Sequence, residues 1–308
     1  MRQEPRHQRS HADAAGLWYG LLGVLSFSLT FPATRVAVAY LDPSVVGLGR
    51  ALVAALLAAL LLGATRQRWP TRTELRRLTF VVAGVIFGFP FLSAWALRQV
   101  PSAHGAIVIG LLPLATACVA TFRGGERPSW LFWLAGLAGS AAVIGFALYS
   151  GAGGLHAADL ALLGAVVAGA FGYAEGAQLA RTLGSWQVIS WALVLAAPLL
   201  SIPVGLAIWQ HGLAAPPTAW LGFLYVAVVS QFLGFFAWYR GLALGGVARI
   251  SQLQLLQPFL TLIAAALLLH EQVTPGTIAI ALVVVAAVAI GRRAPVSRPV
   301  VRTGEAEP

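Results

Sequence analysis

Several side chains that form strong hydrogen bonds lie inside long apolar stretches of the sequence. Gln254 and Gln257 are three residues apart, about one helical turn, so they can share a helix face with Ser251. Amides are costly in hydrocarbon unless they are hydrogen-bonded, which predicts that this face points toward the interior of a helix bundle. The sequence leaves open whether the two amides bind a substrate or join neighbouring helices.

Two charged residues also interrupt apolar stretches. The guanidinium of Arg50 could recognise an anionic group such as a carboxylate, or it could extend to the membrane surface and bond exposed carbonyls. The carboxyl group of Glu175 could couple the protein to protons or bind a cation. The alternative is a glutamate near the helix end that reaches the interface or pairs with Arg181.

Three ring-bearing residues lie near predicted helix ends. His104 could titrate near neutral pH, although its place at the start of a stretch favours a histidine at the membrane interface. Trp95 and Trp238 are expected in the interfacial aromatic belt, with lining of a cavity as the alternative.

The chain that must position these residues is largely apolar. Of its 308 residues, 59% are hydrophobic and 10% are charged, and the mean hydropathy is +0.82, which excludes an ordinary soluble domain. Each apolar stretch is about as long as the ~20 residues that a helix needs to cross the hydrocarbon core, and none alternates as a barrel strand would. The sequence therefore predicts an all-α integral membrane protein with ten transmembrane helices, at roughly 15–38, 44–65, 78–97, 104–122, 130–150, 158–178, 186–209, 218–239, 250–269 and 276–291. We expect the first of these to be a retained span rather than a cleaved signal, because Arg35 lies just before the supposed cleavage site.

The net charge of +10 is explained by its distribution. All 20 basic residues are arginines. With ten spans and a cytoplasmic N-terminus, most of them fall on the cytoplasmic side, while the opposite side holds Arg98 and Arg35. The positive-inside rule thus predicts that both termini are cytoplasmic, and the charge requires no nucleic-acid partner.

An internal repeat organises the ten stretches. Pro113 and Glu126 recur as Pro258 and Glu271, each displaced by 145 positions, and Leu21-Leu22-Gly23 recurs as Leu162-Leu163-Gly164 at an offset of 141. We expect the extra residues of the second copy in the loop around 210–217. The sequence predicts a cytoplasmic tail at 1–14, five-helix repeats at 15–150 and 151–291, and a disordered cytoplasmic tail at 292–308.

An odd number of spans per repeat inverts the second copy in the membrane. Inverted repeats are typical of secondary transporters, which bind substrate where the halves meet. Pro113 and Pro258 are interpreted as hinges or opened backbone beside such a cavity, with static kinks as the alternative. Glu126 and Glu271 are expected to end helices, and the Gly84/Gly88 and Gly172/Gly176 pairs to pack helices within the bundle.

The sequence also resembles a known family. Three segments carry the likeness: GLGRALVAALLAAL (47–60), ALRQVPSAHGAIVIGLLPLATACVATFRGGERPS (96–129) and AWYRGLALGGVARISQLQLLQPFLTLIAAALLLHEQVT (237–274). They are similar to the drug/metabolite transporter superfamily, specifically its ten-helix members with two EamA repeats. The resemblance implies a carrier in the cytoplasmic membrane, often an exporter of small metabolites or drugs, and no particular substrate.

The sequence lacks the motifs of other kinds of chemistry. A phosphate-binding loop of the Gly-x-x-x-x-Gly-Lys type is excluded because the chain has no lysine, so the protein is not itself an ATP-driven pump. We expect no cofactor and no metal, and Cys118 is the sole cysteine. The expected partners are the lipid bilayer, a small organic substrate and protons as coupling ion, in a monomer or homodimer. The alternatives are an intramembrane enzyme acting on a lipid or isoprenoid, or a non-transporting membrane scaffold.

Overall fold

The computed structural model describes residues 6–124, 127–149 and 157–270, and beyond them 275–276, 279, 282–283, 286–287, 289–290 and 296–297. The described chain is almost entirely helical. Within it, seven helical stretches are long and apolar enough to cross a membrane, and two shorter apolar helices lie at Leu112–Phe122 and Trp130–Ala142. Half of the predicted tenth span, 276–291, is outside the described residues, and those described between 275 and 290 are helical.

We number the ten predicted spans in chain order and keep these numbers as labels. The first five contain eight α-helices and two π-helical segments. The α-helices are α1 (Arg6–Ser28), α2 (Thr30–Val38), α3 (Arg50–Ala64), α4 (Arg72–Val81), α5 (Phe89–Leu97), α6 (Ser102–Ile109), α7 (Leu112–Gly124) and α8 (Trp130–Tyr149). The π segments, Val45–Gly49 and Val82–Gly88, join α3 and α5 to the residues before them.

Spans six to nine follow the same plan. They contain α9 (Ala157–Ala180), α10 (Ser185–His211), α11 (Pro217–Leu224), α12 (Gly234–Gly245), α13 (Val247–Ser251) and α14 (Gln257–Leu269). A π segment at Tyr225–Leu233 separates α11 from α12, and a 3-10 segment at Gln252–Leu256 separates α13 from α14. The π segments of spans three and eight overlap and end at equivalent residues when the repeat offset of 145 is applied.

Helix α1 begins at Arg6, and its apolar stretch begins at Asp13, close to the predicted start at 15. Two other predicted positions are wrong. Span three begins at Arg72 rather than 78, because Thr71 and Glu74 form a reciprocal capping box that starts a helix in a polar stretch. The extra residues of the second repeat lengthen α10 to His211, and the loop that follows is only 212–216.

A short strand pair is an exception to the all-α prediction. Arg127–Pro128 pairs antiparallel with Val296–Ser297, so two residues of the predicted disordered tail are held against the connection between α7 and α8.

The repeated prolines do not lie in the middle of continuous helices. Pro113 is the second residue of α7 and Pro258 the second residue of α14, each just after a break in its span. A proline in the first turn costs no hydrogen bond, because the N–H groups of that turn have no partner within the helix. The interpretation as a mid-helix kink is therefore wrong in detail. A new α-helical segment begins one residue before each proline.

Helix packing repeats between the two halves. Helix α1 of span one packs against α12 of span eight, and α9 of span six packs against α4 and α5 of span three. Spans two and seven, which are equivalent to each other in the repeat, pack together through α3 and α10. In spans four and nine α6 contacts α14 and α7 contacts α13, so these two spans are antiparallel.

Glycines bring two of these helix pairs into backbone contact. A Cβ atom on Gly16 would lie 2.7 Å from the backbone nitrogen of Gly245, and one on Gly241 would lie 2.6 Å from that of Gly20. In the equivalent pair, a Cβ on Gly84 would lie 3.0 Å from the backbone nitrogen of Gly172. We call these contacts the α1–α12 seam and the span three–α9 seam. They place the small-residue pairs within the bundle, as predicted.

Candidate functional site

A small cavity lies between helices of the two predicted repeats. Residues of both predicted repeats line it, which is the arrangement expected of a binding site between halves. The lining residues are Phe27, Thr30, Phe31, Arg50, Val85, Phe89, Leu112, Gly169, Tyr173, Ser230, Gln231, Phe235 and Gln257.

Interruptions of the helices form much of this wall. Arg50 is the first residue after the π segment of span two, and Gln257 is the first after the 3-10 segment of span nine. Ser230 and Gln231 lie inside the π segment of span eight. Local changes of helix type frequently occur at functional sites, and here they direct polar side chains into an otherwise apolar bundle.

Arg50 supplies the charge of the cavity. Its side chain is 4% exposed, and its Nε has no hydrogen-bond partner. None of the ion pairs between described residues includes it. The Tyr173 side chain lines the same cavity. A buried guanidinium without a carboxylate partner is expensive, so the site favours an anionic group.

Hydrogen-bond acceptors line the same cavity. The Oε1 atoms of Gln231 and Gln257 are buried and have no partner. The Gln231 Nε2 donates to the Val85 carbonyl at 3.4 Å, and the hydroxyls of Thr30 and Ser230 are 2.8 Å apart. The cavity therefore offers two amide oxygens to a donor group, together with the donors of Arg50.

Aromatic rings form the apolar part of the wall. The rings of Phe27 and Phe235 are 5.0 Å apart, those of Phe31 and Phe89 are 6.4 Å apart, and Tyr173 meets Phe235 edge to face at 5.9 Å. Such walls accept apolar groups. The cavity thus combines a cationic group, polar acceptors and a hydrophobic surface.

Comparison with known proteins assigns this architecture to a family. The model of the EamA-like transporter family matches the chain twice, over residues 14–148 and 156–291. The chain belongs to the EamA-like transporter family. The resemblance expected from the sequence is confirmed, and the protein is a membrane transporter.

Two curated relatives cover most of the transporter. An uncharacterized transporter of Bacillus subtilis, YdeK, is 47% identical over 275 residues, which is 89% of this chain and 96% of its own. A probable terminal-alkyne amino-acid exporter of Streptantibioticus cattleyicolor is 30% identical over 270 residues, 84% of this chain and 87% of its own. A protein of known crystal structure shares the fold at 19% identity, with a TM-score of 0.73 over 91% of this chain and 98% of its own.

The three polar residues predicted to share one face of span nine, Ser251, Gln254 and Gln257, have different surroundings in the transporter. Gln257 lines the cavity, and the Nε2 of Gln254 is 3.5 Å from the Tyr173 hydroxyl just behind the wall. The Ser251 hydroxyl donates to the Ala248 carbonyl instead. The intervening 3-10 segment, which has about 3.0 residues per turn, changes the helical register on which the shared face was predicted.

The two prolines adjoin the cavity without lining it. Pro113 follows the lining residue Leu112, and Pro258 follows Gln257. Leu112 and Gln257 are themselves equivalent at the offset of 145. The residue before each repeated proline therefore lies in the cavity wall.

The two tryptophans differ from each other. Trp238 is fully buried between Tyr173 and Phe27, with ring distances of 5.5 and 6.0 Å, so the interfacial interpretation is wrong for it. It supports the aromatic wall from behind. Trp95 is 38% exposed near the end of α5 and lies outside the cavity wall.

Neither His104 nor Glu175 lies in the cavity wall. The His104 Nε2 donates to the Asp159 carboxylate at 2.5 Å, and its side chain is 14% exposed near the start of α6. Its place at the membrane interface stays a prediction. Glu175 is 3% exposed in α9, two residues beyond Tyr173, so its carboxylate does not extend into solvent.

Sequence reasoning missed the remaining polar lining residues. Tyr173, Thr30, Ser230 and Gln231 all border the cavity. The adjacent Ser230 and Gln231 inside an apolar span were a detectable signal, similar to that of Gln254 and Gln257. Among the described residues, no group of three or more His, Cys, Asp and Glu side chains could hold a metal ion. Glu126 and Glu271 lie outside the described residues.

Proposed function

We propose that the protein is a secondary transporter that exports a small amino acid or related organic carboxylate across the cytoplasmic membrane. The buried Arg50 in the central cavity, unpaired with any described carboxylate, carries this proposal. A charge-assisted hydrogen bond between this guanidinium and a substrate carboxylate would be strong in so dry a site.

The other cavity groups fit the rest of an amino acid. The free Oε1 atoms of Gln231 and Gln257 are suited to accept hydrogen bonds from an ammonium group, and the phenylalanine rings to cover an apolar side chain. The name of the Streptantibioticus relative supports the same substrate class and the outward direction.

Alternating access between two inverted five-helix repeats, 15–150 and 151–291, is the proposed mechanism. Two observations support it: the family model matches each half separately, and equivalent helices make equivalent contacts. An odd number of spans per half makes the total even and would place both termini on the same side, and the arginine distribution favours the cytoplasm as that side. Inversion gives one arrangement open to each side, with the cavity shared between them.

Protons are the proposed coupling ion, with Glu175 as the candidate carrier. It is a buried carboxyl group inside span six, close in sequence to the cavity residue Tyr173. We expect Glu175→Gln to abolish uphill transport while leaving downhill exchange intact. Uphill transport with an unchanged pH dependence would contradict this role.

An efflux experiment with Arg50 variants tests the substrate proposal. Cells preloaded with a labelled amino-acid panel, including apolar and alkyne-bearing side chains, should lose substrate faster with the transporter. Arg50→Gln should weaken binding about 10- to 100-fold, because a hydrogen bond to a charged group contributes about 1.5–3 kcal/mol. Arg50→Lys keeps the charge but not the bidentate geometry. Its affinity for the substrate should lie between those of the wild type and Arg50→Gln.

The matched control is the amino-acid amide. A substrate without its carboxylate should bind the wild type and Arg50→Gln with similar affinity. If Arg50→Gln weakens the amide and the acid equally, Arg50 does not recognise the carboxylate. If no compound in the panel is transported by correctly inserted protein, the substrate class is wrong.

A further inference from the structure

One polar pair joins the starts of two spans at one end of the bundle. His104, the third residue of α6, donates to Asp159, the third residue of α9, at 2.5 Å. The side chains are 14% and 8% exposed, so the pair is largely enclosed. It ties span four to span six.

A second pair joins the starts of two other spans. Arg249, the third residue of α13, donates to Asp13 of α1 at 2.9 Å and ties span nine to span one. These side chains are 30% and 43% exposed. His104 and Arg249 are equivalent in the repeat, 145 positions apart, and spans nine and one are the counterparts of spans four and six. The two aspartates lie in these counterpart spans but are 146 positions apart, so they are not at equivalent positions.

The pairs lie at opposite ends of the cavity. Spans four and nine are antiparallel, so their first residues are at opposite faces of the bundle. His104 and Arg249 each precede a cavity residue, Leu112 and Gln257, by eight positions, about 12 Å of helix. Each pair therefore stands between the cavity and one side of the membrane.

We propose that His104–Asp159 and Asp13–Arg249 are the outer and inner latches of the transport pathway. This inference rests on the alternating access proposed above. Both latches are closed here around the cavity, so the structure corresponds to an occluded state, and opening toward either side requires one latch to separate.

The helix breaks allow each latch to move separately from the cavity wall. The turn at 110–111 separates α6 from α7, and the 3-10 segment Gln252–Leu256 separates α13 from α14. A half-helix that carries its latch residue can therefore tilt while the half beyond the proline stays in place. Hinges of this kind are formed by a few residues at the ends of rigid elements.

Thiol accessibility tests the latches without any substrate. In a Cys118→Ala background, Ser230→Cys places a reporter in the cavity, and an impermeant thiol reagent is applied outside cells or to inverted vesicles. Asp159→Asn should raise labelling from outside about tenfold, since breaking an enclosed pair costs several kcal/mol. Asp13→Asn should raise labelling from inside about threefold, because exposed pairs contribute less.

Three controls make the result specific. Exchanging the charges, Asp13→Arg with Arg249→Asp, should restore the slow labelling of the parent. Arg68→Gln breaks an ion pair within one half and should leave both rates unchanged. His104→Gln tests the outer latch independently if Asp159→Asn fails to fold, as judged by size-exclusion chromatography.

The outcomes distinguish the latches from the substrate proposal. If both aspartate variants raise labelling from the same face, or neither changes labelling, the latches are wrong even if amino acids are exported normally. If labelling changes as expected but no amino acid is transported, the latches are supported and the proposed substrate class is wrong.

Discussion

At the scale of single residues, Thr261 compensates for a proline in the first span. Pro32 has no N–H group, so the carbonyl of Ser28, four residues earlier, lacks its helical donor. The Thr261 hydroxyl of α14 donates to that carbonyl at 2.8 Å, and the Tyr225 hydroxyl donates to the nearby Ser26 carbonyl at 2.9 Å. Backbone groups freed at membrane depth need such partners, because hydrocarbon offers none.

Thr261→Val should therefore destabilise the protein. The change keeps the shape of the side chain and removes its donor, which leaves a buried carbonyl unsatisfied at a cost of about 1 kcal/mol. Thermal unfolding of detergent-solubilised protein measures the effect. Thr261→Ser, which keeps the hydroxyl, is the control, and equal melting temperatures for the two variants would contradict the compensation.

The sequence predicted the polar cavity residues better than the aromatic ones. Arg50 and Gln257 were identifiable because charge and amides are rare in apolar spans. Phe27, Phe89 and Tyr173 were not, since aromatic residues occur on every face of such helices. Which ring faces the cavity depends on how neighbouring helices pack, and a single span does not encode that.

At the scale of elements, the two glycine seams fix the distance between helices. In the span three–α9 seam, the missing side chain of Gly84 lets the backbone of α9 approach directly. The hydrophobic effect does not drive helices together within lipid. Small residues favour their association there because they allow extensive van der Waals contact between the backbones.

Gly84→Ala should lower the yield of folded protein. Its Cβ would collide with the Ala168 carbonyl oxygen and the Gly172 backbone, and such overpacking typically costs about 1–3 kcal/mol. Gly63→Ala is the matched control, because nothing lies within 4 Å of the added methyl group. Fluorescence-detected size-exclusion chromatography gives the measurement, and equal peaks for both variants would contradict the seam.

Helix positions followed from the sequence, whereas helix types did not. Hydropathy located the seven described helical stretches that are long enough to cross a membrane and the two shorter apolar helices, because a span must be apolar over its membrane-crossing length. The π and 3-10 segments were not predicted, since they change the backbone hydrogen bonding without changing the composition. The capped start of span three was missed because Arg72, Glu74 and their neighbours are polar.

At the scale of the whole molecule, the proposed inversion predicts that equivalent loops lie on opposite sides of the membrane. The end of α3 and the end of α10 are equivalent in the repeat. We expect Ala64→Cys, in a Cys118→Ala background, to react with an impermeant thiol reagent in inverted vesicles, and Leu213→Cys to react outside intact cells. Labelling of both from the same side would contradict inversion.

The global arrangement depended on one property of the sequence, the repeat offset. It related Pro113 to Pro258 and so predicted two halves with a shared site. The pairing of span one with span eight and of span three with span six was not predictable, because the contacts cross between the halves. Complementary glycine patterns become visible only once the helices are placed.

The glycine seams also bear on the route that a molecule takes to the cavity. At Gly16–Gly245, Gly20–Gly241 and Gly84–Gly172 the helix backbones touch, which leaves no gap wide enough for an acyl chain or a solute. Lateral entry from the bilayer leaflets is therefore closed along both seams. A molecule that enters the cavity from the bilayer would have to pass between other helices.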